Sequence, residues 1–441
     1  MEWTLPTQLE KAAFILNANG ETVFLVGGAV RDLLLNQQPK DWDLVTSASL
    51  IKIQALFPQN FLMGKKQETI NVFLDGLRLE ISPYRSGSRT LEEDLSKRDF
   101  TINAMPYDLV SKTLIDPFSG TKDLQKNLLR AVGSAVDRFQ EDPLRMLRAL
   151  RLMAQYQLRL SPSLIQAIAQ KSTLLSQVSM ERIRDELAHI LLTDQVTETI
   201  TLAEKLGLLS IFLPELSACF GLEQNTFHNK DVAGHILNVI EHLPQDDLEM
   251  RLVGLLHDLG KPLTRSVGKD GRVHFYGHEN YSAEIAKEVL KRLKISTRIL
   301  DRPVSSERII LLVKNHMFFY PPGTSDKAVR RLLARLQPEN IPDFLLLQRA
   351  DILAGSPSKQ ERLPHLTQLA LTISRILEEN PPLQEKDLAL TGKEIMSALQ
   401  LPPGKKVGQI KKKLLQAVID NPKLNNKVTL LKILAREKST L

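Results

Sequence analysis

The sequence contains one cysteine, Cys219, and no long hydrophobic run. A single cysteine excludes a disulfide within the chain and a cysteine-held zinc site, and it fits a reducing cytoplasm. No apolar stretch approaches the ~20 residues that are needed to cross a bilayer. The N-terminus, "MEWTLPTQLEKAAFIL", lacks the basic and then apolar regions of a secretory signal. We therefore expect a cytoplasmic protein without a membrane partner.

The length and the charge distribution suggest several domains and a polyanionic partner. A chain of 441 residues is too long for one ordinary hydrophobic core, so two to four domains are expected. The net charge is +7, yet residues 386–441 alone hold eleven Lys and one Arg against two Asp and two Glu. Such a local basic surface favours a polyanion. A solvated helix face would have the same composition, and both interpretations remain open at this point.

Periodicity predicts an α+β fold, with a small head of mixed sheet plus helices before a long all-α body. In the head, "TVFLVGG" and "DWDLVT" are typical of strands, and "INVFLDGLRLEISPY" predicts a hairpin that turns at Asp75-Gly76. From about residue 137 the apolar spacing becomes helical and stays so to the end. The predicted domains are a head, a helical neck, a metal-binding helical domain and a basic helical tail, over residues 1–136, 137–220, 221–356 and 357–441.

Two acidic residues stand close together early in the head. Asp41 and Asp43 are two residues apart on a predicted strand, so their side chains should share a face. Carboxylates in that arrangement can ligate Mg²⁺, which completes its shell with water and substrate phosphates. Glu80 alternates with buried neighbours on the hairpin and is the candidate third carboxylate. The three residues predict a metal-dependent phosphoryl-transfer centre.

A glycine turn precedes this acidic pair. Gly27 and Gly28 end a strand and open a helix, where a backbone without side chains and a helix N-terminus both favour phosphate. Arg31 could then reach a phosphate group. Asp32 could either hold Arg31 or cap the turn. Each signal alone is weak, and the ordered set is what points to a nucleotide site.

The ordered segments "GGAVRDLLL…PKDWDLVT", "KRDFTINAMPYD" and "EDPLRMLRALR" closely resemble the class II tRNA nucleotidyltransferase and bacterial poly(A) polymerase family over roughly residues 20–190. The resemblance implies a DNA-polymerase-β-like head, metal ligation by Asp41 and Asp43, and nucleotide contacts from Gly28 and Arg31. It further implies nucleotide or sugar contacts from Arg98, Asp99 and Asn103. Many members have Arg at the position of Lys97. This chain keeps the positive charge there but lacks the planar guanidinium that can form two parallel hydrogen bonds.

A second group of polar residues could select the base without a nucleic-acid template. Asp142 and Arg145 are three residues apart in a predicted helical segment, and together they could match the pairing edge of cytosine. The family resemblance implies that they select C and A, with Glu141 orienting Arg145. Arg148 and Arg151 continue the stripe and could meet the triphosphate of CTP or ATP. The implied reaction is attack of an RNA 3′-hydroxyl on the α-phosphorus, with release of pyrophosphate.

The connection that precedes "KRDF" bears on the product. Members of the family that add all of CCA usually carry a longer loop here, whereas this chain has only "SGSR" between Tyr84-Arg85 and "TLEEDL". The short loop favours addition of CC alone, with a partner enzyme adding the terminal A. Complete CCA addition and poly(A) synthesis are the alternatives, although the chain lacks the long basic extensions expected of a poly(A) polymerase.

A second constellation lies in the helical body, in "AGHILNV", "LVGLLHDLGKP", "FYGHENY", "VKNHMFF" and "QRADIL". Neutral imidazole and carboxylate together suit Zn, Mn, Fe or Ni. The order resembles the HD phosphohydrolase superfamily, which implies a first set of ligands and, in some members, two histidines for a second metal. Those residues are His235, His257, Asp258 and Asp351, followed by His278 and His316. The domain could hydrolyse phosphoesters or serve as a metal-stabilised scaffold, and the head could then be only an RNA-binding module.

The basic tail resembles the C-terminal segment of the same family around "LPPGKKVGQIKKKLL". Its lysines could neutralise phosphates of a tRNA acceptor end, with affinity that depends steeply on salt. Aromatic residues for base stacking are absent from this stretch, so recognition by shape and charge is predicted. The candidate lysines are Lys405, Lys406, Lys411, Lys412 and Lys413.

Overall fold

The structure is a computed structural model, and it describes residues 3–62, 69–85, 87–224, 230–269 and 271–438. The chain divides into two compact units, Met1–Phe212 and Leu213–Leu441. Among the described residues, the helices are too short or too polar for any of them to cross a membrane.

The first unit contains a mixed sheet in the strand order β3-β4-β5-β2-β1-β6-β7. Strands β2 and β5 run parallel, and the other neighbours pair antiparallel. The predicted hairpin is confirmed: Asp75 and Gly76 both have positive φ, which the tight turn requires. The strands are β1 (Val23–Val26), β2 (Asp43–Thr46), β3 (Asn60–Leu62), β4 (Ile70–Leu74), β5 (Leu77–Pro83), β6 (Tyr107–Asp108) and β7 (Thr113–Leu114).

Helices lie between the strands along the chain and continue after the last of them. Two further two-residue strands, β8 (Leu128–Leu129) and β9 (Arg159–Leu160), pair in parallel. A 3₁₀ turn covers Thr101–Asn103. The helices of this unit are α1 (Thr7–Ala18), α2 (Gly28–Leu34), α3 (Leu50–Leu56), α4 (Leu91–Ser96), α5 (Gly120–Gln125), α6 (Ala135–Glu141), α7 (Arg145–Tyr156), α8 (Pro162–Lys171), α9 (Met180–Leu191), α10 (Val196–Lys205) and α11 (Leu209–Phe212).

The structure corrects two local predictions. Asp41 was expected on one strand with Asp43, but it lies in a bend before β2, which begins at Asp43. The other correction concerns Asp142. Asp142 does not lie within a helix, because α6 ends at Glu141 and α7 begins at Arg145. Asp142 has extended backbone, with φ −147° and ψ 101°. The reason is Pro143, since the ring of a proline disfavours helical geometry in the residue before it. Asp142 is therefore presented at a break between two helices.

The second unit is helical, as predicted for the body, with two short antiparallel ribbons, β10 (Arg265–Val267) with β11 (Val273–Phe275) and β12 (Arg298–Ile299) with β13 (Arg302–Pro303). Its helices are α12 (Pro214–Ser217), α13 (Val232–Glu241), α14 (Leu248–Leu256), α15 (Lys261–Thr264), α16 (His278–Arg292), α17 (Ser306–Asn315), α18 (Asp326–Leu336), α19 (Ile341–Leu353), α20 (Pro357–Gln360), α21 (Leu363–Glu378), α22 (Gly392–Leu399), α23 (Lys405–Asp420) and α24 (Lys427–Lys438).

The last three helices pack on a small apolar core of their own. Ile395, Leu414, Val418 and Leu430 are nearly or fully buried in it. Helix α22 begins with a capping box, in which Thr391 and Glu394 each accept a hydrogen bond from the other's backbone N–H. The basic tail is therefore folded, and its lysines are carried on a defined helix.

Candidate nucleotide site and metal centre

Three acidic residues lie near the start of β2. Asp43 is the first residue of β2, and Asp41 lies two residues earlier, outside the strand. Trp42 between them is buried, while Asp41 is exposed and Asp43 is half-buried. The parallel register places Glu80 of β5 directly opposite Asp43. Burial first, and then the charge of Glu80, raise the pKa of Asp43 to about 6, with Asp41 adding to the effect. A divalent cation would relieve this repulsion, so these residues fit a metal.

The glycine turn lies directly against these acids. Gly27 has φ +73°, and a Cβ at this position would lie 3.2 Å from Oδ2 of Asp43 and 3.8 Å from Nη1 of Arg98. A larger residue would be strained by its backbone and would crowd the carboxylate. Gly28 is the first residue of α2. The absence of a side chain at Gly27 therefore keeps a small space between an acidic group and a cationic one.

Arg31 is buried and its guanidinium is fully engaged. It donates to Asn103 Oδ1 at 2.7 Å and to Asp32 Oδ1 at 2.8 Å and 3.1 Å. It also lies over the ring of Tyr156, 4.1 Å from the centroid, and donates to the hydroxyl of that residue. Of the two roles predicted for Asp32, the structure contains the first, because Asp32 holds Arg31. Tyr156 was not among the predicted residues.

These contacts belong to a closed circuit of side-chain hydrogen bonds, which we call the polar ring. It joins α2, the 3₁₀ turn, α7 and α9. Glu186 of α9, which is 6% exposed, accepts from Arg151 at 2.6 Å and from Arg148 at 3.5 Å. Arg148 in turn reaches Asp99 at 3.1 Å and, despite the opposing effect of burial, lowers the pKa of Asp99. The ring runs through Arg31, Asn103, Asp99, Arg148, Glu186, Arg151, Gln155 and Tyr156.

The two predicted base-selecting residues are each held by a partner. Arg145 donates to Oε2 of Glu141 at 2.8 Å and to the backbone oxygen of Lys97 at 3.0 Å. Asp142 accepts hydrogen bonds from both terminal nitrogens of Arg182, a residue of α9, at 2.7 Å and 3.2 Å. Glu141 is placed to orient Arg145, as the sequence predicted. Arg182 was missed, since forty residues separate it from Asp142.

The connection from β5 to α4 is short and tied to a buried acid. Asp94 is fully buried and accepts from the backbone N–H of Arg85 at 2.9 Å. The same carboxylate pairs with the guanidinium groups of Arg85 and Arg98. Ser86, which belongs to the predicted short loop, lies outside the described residues. The connection is therefore anchored to the same carboxylate that holds the predicted nucleotide contact Arg98.

In the second unit, the six predicted ligands of the HD constellation converge. The centre is Asp258, whose Oδ1 lies 3.0 Å from Nε2 of His278 and 3.4 Å from Nε2 of His316. Its Oδ2 lies 3.2 Å from Nε2 of His257. Nε2 of His235 lies 2.8 Å from Oδ1 of Asp351. Two groups that share Asp258 have ligand atoms within 4.8 Å of one another, and they are His235–His257–Asp258 and Asp258–His278–His316.

The protonation pattern of these histidines suits metal ligation. Nδ1 of His257, His278 and His316 each lies 2.7 Å from a backbone oxygen, so each ring donates there and leaves Nε2 to face the cluster. Burial lowers the pKa of His235 to about 4, which keeps that ring neutral. Nε2 of His257 is buried without a hydrogen bond of good geometry to any described residue. The residues present therefore fit one or two divalent transition-metal ions.

Two buried lysines, which were not predicted, flank this cluster. Nζ of Lys261 lies 2.6 Å from Oδ2 of Asp258, and Nζ of Lys359 lies 2.9 Å from Oδ1 of Asp351. Lys261 follows directly in the "HDLGKP" motif and could have been singled out from it. Lys359 follows Asp351 by eight residues on the next short helix, and no sequence signal marks it.

The predicted RNA-binding lysines lie on α23. Its buried face is formed by Val407, Ile410, Leu414 and Val418. Four of the five lysines are exposed, and Lys411 is half-buried; the exposed ones are Lys405, Lys406, Lys412 and Lys413. The helix thus presents positive charge on the side that its core does not use.

Four family models match successive parts of the chain. Residues 23–130 match the model described as "Poly A polymerase head domain", and residues 157–220 match "Probable RNA and SrmB- binding site of polymerase A". Residues 228–355 match "HD domain", and residues 343–434 match "tRNA nucleotidyltransferase domain 2 putative".

Two relatives resemble the chain over most of its length. It is 34% identical over 409 residues to the A-adding tRNA nucleotidyltransferase of Deinococcus radiodurans, covering 89% of this chain and 90% of the relative. It is also 34% identical over 409 residues to the CC-adding tRNA nucleotidyltransferase of Thermus thermophilus, covering 89% of each. The solved structure of the Bacillus stearothermophilus CCA-adding enzyme with CTP matches 99% of both chains, with TM-score 0.71 and 25% identity.

Proposed function

We propose a product for this chain, which belongs to the tRNA nucleotidyltransferase family. It transfers nucleotidyl groups to the 3′ end of a tRNA that lacks its terminal CCA. It adds two cytidines from CTP and stops, and a partner enzyme then adds A from ATP. The observation that carries the choice of product is the short, anchored connection between β5 and α4.

The catalytic part of the proposal rests on Asp41, Asp43 and Glu80. Their carboxylates would hold Mg²⁺, which when bound lowers the pKa of the RNA 3′-hydroxyl and neutralises charge at the phosphates. The hydroxyl oxygen attacks the α-phosphorus of CTP, the bond to the β-phosphate oxygen breaks, and pyrophosphate leaves. Gly27 leaves room for the triphosphate beside Asp43, and Arg98 supplies positive charge on the other side of that room.

The choice of cytosine is assigned to Asp142 and Arg145. The carboxylate of Asp142 accepts from the exocyclic amine, and Arg145 donates to the ring nitrogen and the carbonyl oxygen. Both side chains are already held by neighbours, Asp142 by Arg182 and Arg145 by Glu141. A carboxylate has about four lone-pair sites, so Asp142 can keep Arg182 and still accept from a base. Such preorganisation favours one hydrogen-bond pattern over another.

Similarity does not choose between the possible products, because the A-adding and the CC-adding relatives are equally identical to this chain. The connection between β5 and α4 supports CC. It spans residues 84–90, and Asp94 of α4 binds both Arg85 within the connection and Arg98 just after α4. A loop of this length has little freedom to rearrange the pocket from C to A, which is the role that the family resemblance gives to the longer loop.

The test uses three tRNA substrates that end before CCA, at the first C and at CC. Each is incubated with CTP, with ATP, or with both, and the 3′ ends are sequenced. We expect the first two substrates to be completed to CC and the third to remain unchanged. The matched control is Asp43→Asn, which should abolish every addition.

Other products would overturn the choice. A product ending in CCA would assign the whole reaction to this chain. Addition of A to the third substrate alone would assign only the last step. A long A tail would assign poly(A) synthesis.

A second activity is favoured by the metal centre of the second unit. Five buried ligands in two overlapping sets that share Asp258 suit a divalent-metal phosphohydrolase of the HD type. The test is hydrolysis of a 2′,3′-cyclic nucleotide and of a nucleoside monophosphate with Mn²⁺, Ni²⁺ or Mg²⁺, with His257→Ala as control. Absence of turnover with every metal would leave a structural role. Hydrolysis that persists in Asp43→Asn would show that the two activities are separate.

A further inference from the structure

The face of the sheet that carries the proposed catalytic acids extends well beyond them. Residues that pair across neighbouring strands project from the same face, so the register identifies what lies on it. Asp43 pairs with Glu80, Glu80 pairs with Asn71, and Asn71 pairs with Phe61. One row therefore crosses β2, β5, β4 and β3, with acids at one end and an aromatic ring at the other.

Phe61 and Phe73 form an exposed pair of rings at the far end of this row. Their centroids are 5.7 Å apart with planes at 24°, and the two residues are 44% and 42% exposed. Phe73 lies on the same face, because it follows Asn71 by two positions on β4. Ile70 and Val72 of the same strand are buried. We call the two rings the aromatic platform.

Packing between strands explains the contact of the two rings but not their exposure. Aromatic pairs across neighbouring strands stabilise a sheet, and this pair lies at its edge. A single exposed apolar residue is ordinary on a protein surface. Two stacked rings in line with a nucleotidyl-transfer centre are different, because their flat faces suit a nucleobase.

A cation lies between the platform and the acids. Arg78 of β5 pairs in register with Phe73. Its Nε donates to Oδ1 of Asn71 at 2.6 Å, and its Nη2 donates to the carboxylate of Glu80. The side chain of Arg78 is 43% exposed, so a phosphodiester can approach it from solvent. The face thus presents metal-binding acids, then a cation, then aromatic rings.

The spacing of these groups matches a short single strand of RNA. Neighbouring strands lie about 4.8 Å apart, which places Asn71 roughly 10 Å and Phe61 roughly 14 Å from Asp43. A nucleotide advances about 3.4 Å when its base is stacked as in a duplex, and further when the strand is stretched. A strand whose 3′-hydroxyl rests beside Asp43 therefore reaches the platform within its last few nucleotides.

We infer that the aromatic platform binds an unpaired base at the 3′ end of the tRNA, while Arg78 contacts the phosphodiester that leads from this base to the reacting end. The inference rests on the nucleotidyl transfer proposed above and adds a site for the RNA strand. The occupant is single-stranded, because a base within a helix has both of its faces covered. Stacking accepts every base, so the platform suits tRNAs that differ at their ends.

The experiment measures RNA binding separately from nucleotide addition. Minihelices with the tRNA acceptor stem end before CCA or after the first C, and each unpaired nucleotide is replaced in turn by an abasic one. The variant is Phe61→Leu with Phe73→Leu, which keeps an apolar contact between the strands and removes the flat faces. The matched control is Phe14→Leu, at an exposed phenylalanine on α1. Fluorescence anisotropy gives the RNA affinity, and addition assays give the KM for CTP.

We expect the double variant to bind RNA about tenfold more weakly, with the KM for CTP and the melting temperature unchanged. One abasic replacement should weaken binding by the unchanged protein and have no further effect on the double variant. Phe14→Leu should behave as the unchanged protein does. Unchanged RNA affinity in the double variant, or an equal abasic effect in both proteins, would overturn the platform. A raised KM for CTP alone would assign the rings to the incoming nucleotide and overturn it as well.

The contact of Arg78 has its own measurement. Arg78→Gln should lower the slope of log RNA affinity against log salt by roughly 0.7, the share of one phosphate on a single strand. An unchanged slope would remove the phosphodiester contact. RNA affinity does not depend on which nucleotides are added, so a product ending in CCA would overturn the proposed product and leave the platform standing.

Discussion

The guanidinium of Arg182 donates hydrogen bonds to both carboxylate oxygens of Asp142, with Nη2 2.7 Å from Oδ2 and Nη1 3.2 Å from Oδ1. Asp142 lies at a helix break, where its Oδ1 also accepts from the backbone N–H of Leu144 at 3.2 Å, and together these contacts fix the plane of its carboxylate. Asp142, which is proposed to select cytosine, is therefore oriented by Arg182, forty positions away in the sequence. Arg182 acts as a positioning residue.

Loss of the contact between Arg182 and Asp142 should affect base selection more than the stability of the fold. In Arg182→Gln we expect the KM for CTP to rise about tenfold and the preference for CTP over ATP to fall, because a charge-assisted pair is lost. Arg182 is half exposed, so the melting temperature should hardly change. The control is Arg184→Gln on the same helix. An unchanged KM for CTP would mean that Asp142 is oriented without Arg182.

The hydroxyl of Tyr156 is a second positioning group. It donates to Oδ1 of Asp32 at 2.9 Å and accepts from Arg31. Tyr156→Phe keeps the ring beneath Arg31 but opens the polar ring at one point. We expect kcat/KM for CTP to fall by about tenfold, with most of the effect in KM if Arg31 meets the triphosphate. Gln155→Ala, which breaks a more exposed link of the same ring, should have a smaller effect.

The ionised carboxylate of Asp43 should destabilise the folded, metal-free protein at neutral pH. Its pKa is raised to about 6 in the folded state, from 3.8 as the usual value. A carboxyl with a raised folded pKa contributes most stability below pH 4 and loses it as pH rises through 6. We expect Asp43→Asn, without Mg²⁺, to be more stable at pH 8 by at most ~3 kcal/mol, while being inactive.

This expectation is checked by urea unfolding at pH 4.5 and pH 8 with and without Mg²⁺. The gain from Asp43→Asn should shrink to about 1 kcal/mol at the lower pH, and Mg²⁺ should stabilise only the unchanged protein. A variant that is less stable at pH 8 would show that the carboxylate repulsion inferred between Asp43 and Glu80 is absent.

The tail lysines should govern the salt dependence of tRNA binding. Each phosphate that a lysine neutralises contributes roughly 0.7–0.9 to the slope of log affinity against log salt. Lys405→Gln combined with Lys406→Gln should therefore lower that slope by about 1–2. The matched control is Lys287→Gln with Lys291→Gln, two exposed lysines on α16. Identical slopes for all three proteins would remove α23 from the RNA interface.

Local patterns in the sequence were sufficient for the elements of the head. The alternation around Glu80 and the Asp75-Gly76 turn predicted the hairpin because strand period and turn residues act over a few positions. The same holds for the four histidine-containing segments, whose residue types and order indicated the candidate metal ligands. Pro143 was equally visible, yet the apolar spacing around it was taken for one continuous helix, and the break at Asp142 was missed.

Contacts between distant segments could not be predicted from the sequence. Arg182 and Tyr156 are ordinary surface-type residues by composition, and only the packing of α9 and α2 against α7 gives them partners. Lys359 depends in the same way on the absence of a side chain at Gly355, which sequence alone reports as one glycine among 21. These three residues act by contacting other site residues, and such contacts exist only once distant segments have packed together.

The anchoring of Arg85 and Arg98 on one buried acid restricts how the chain could acquire a different product. Extra residues inserted after Arg85 would pull its backbone N–H away from Asp94 and leave that acid with fewer donors in the interior. The loss would also loosen Arg98, which lies near Asp43, one of the proposed catalytic acids. A graft of a longer segment into this place would therefore have to bring replacement partners for Asp94 with it, or it would damage the first reaction before it could enable a new one.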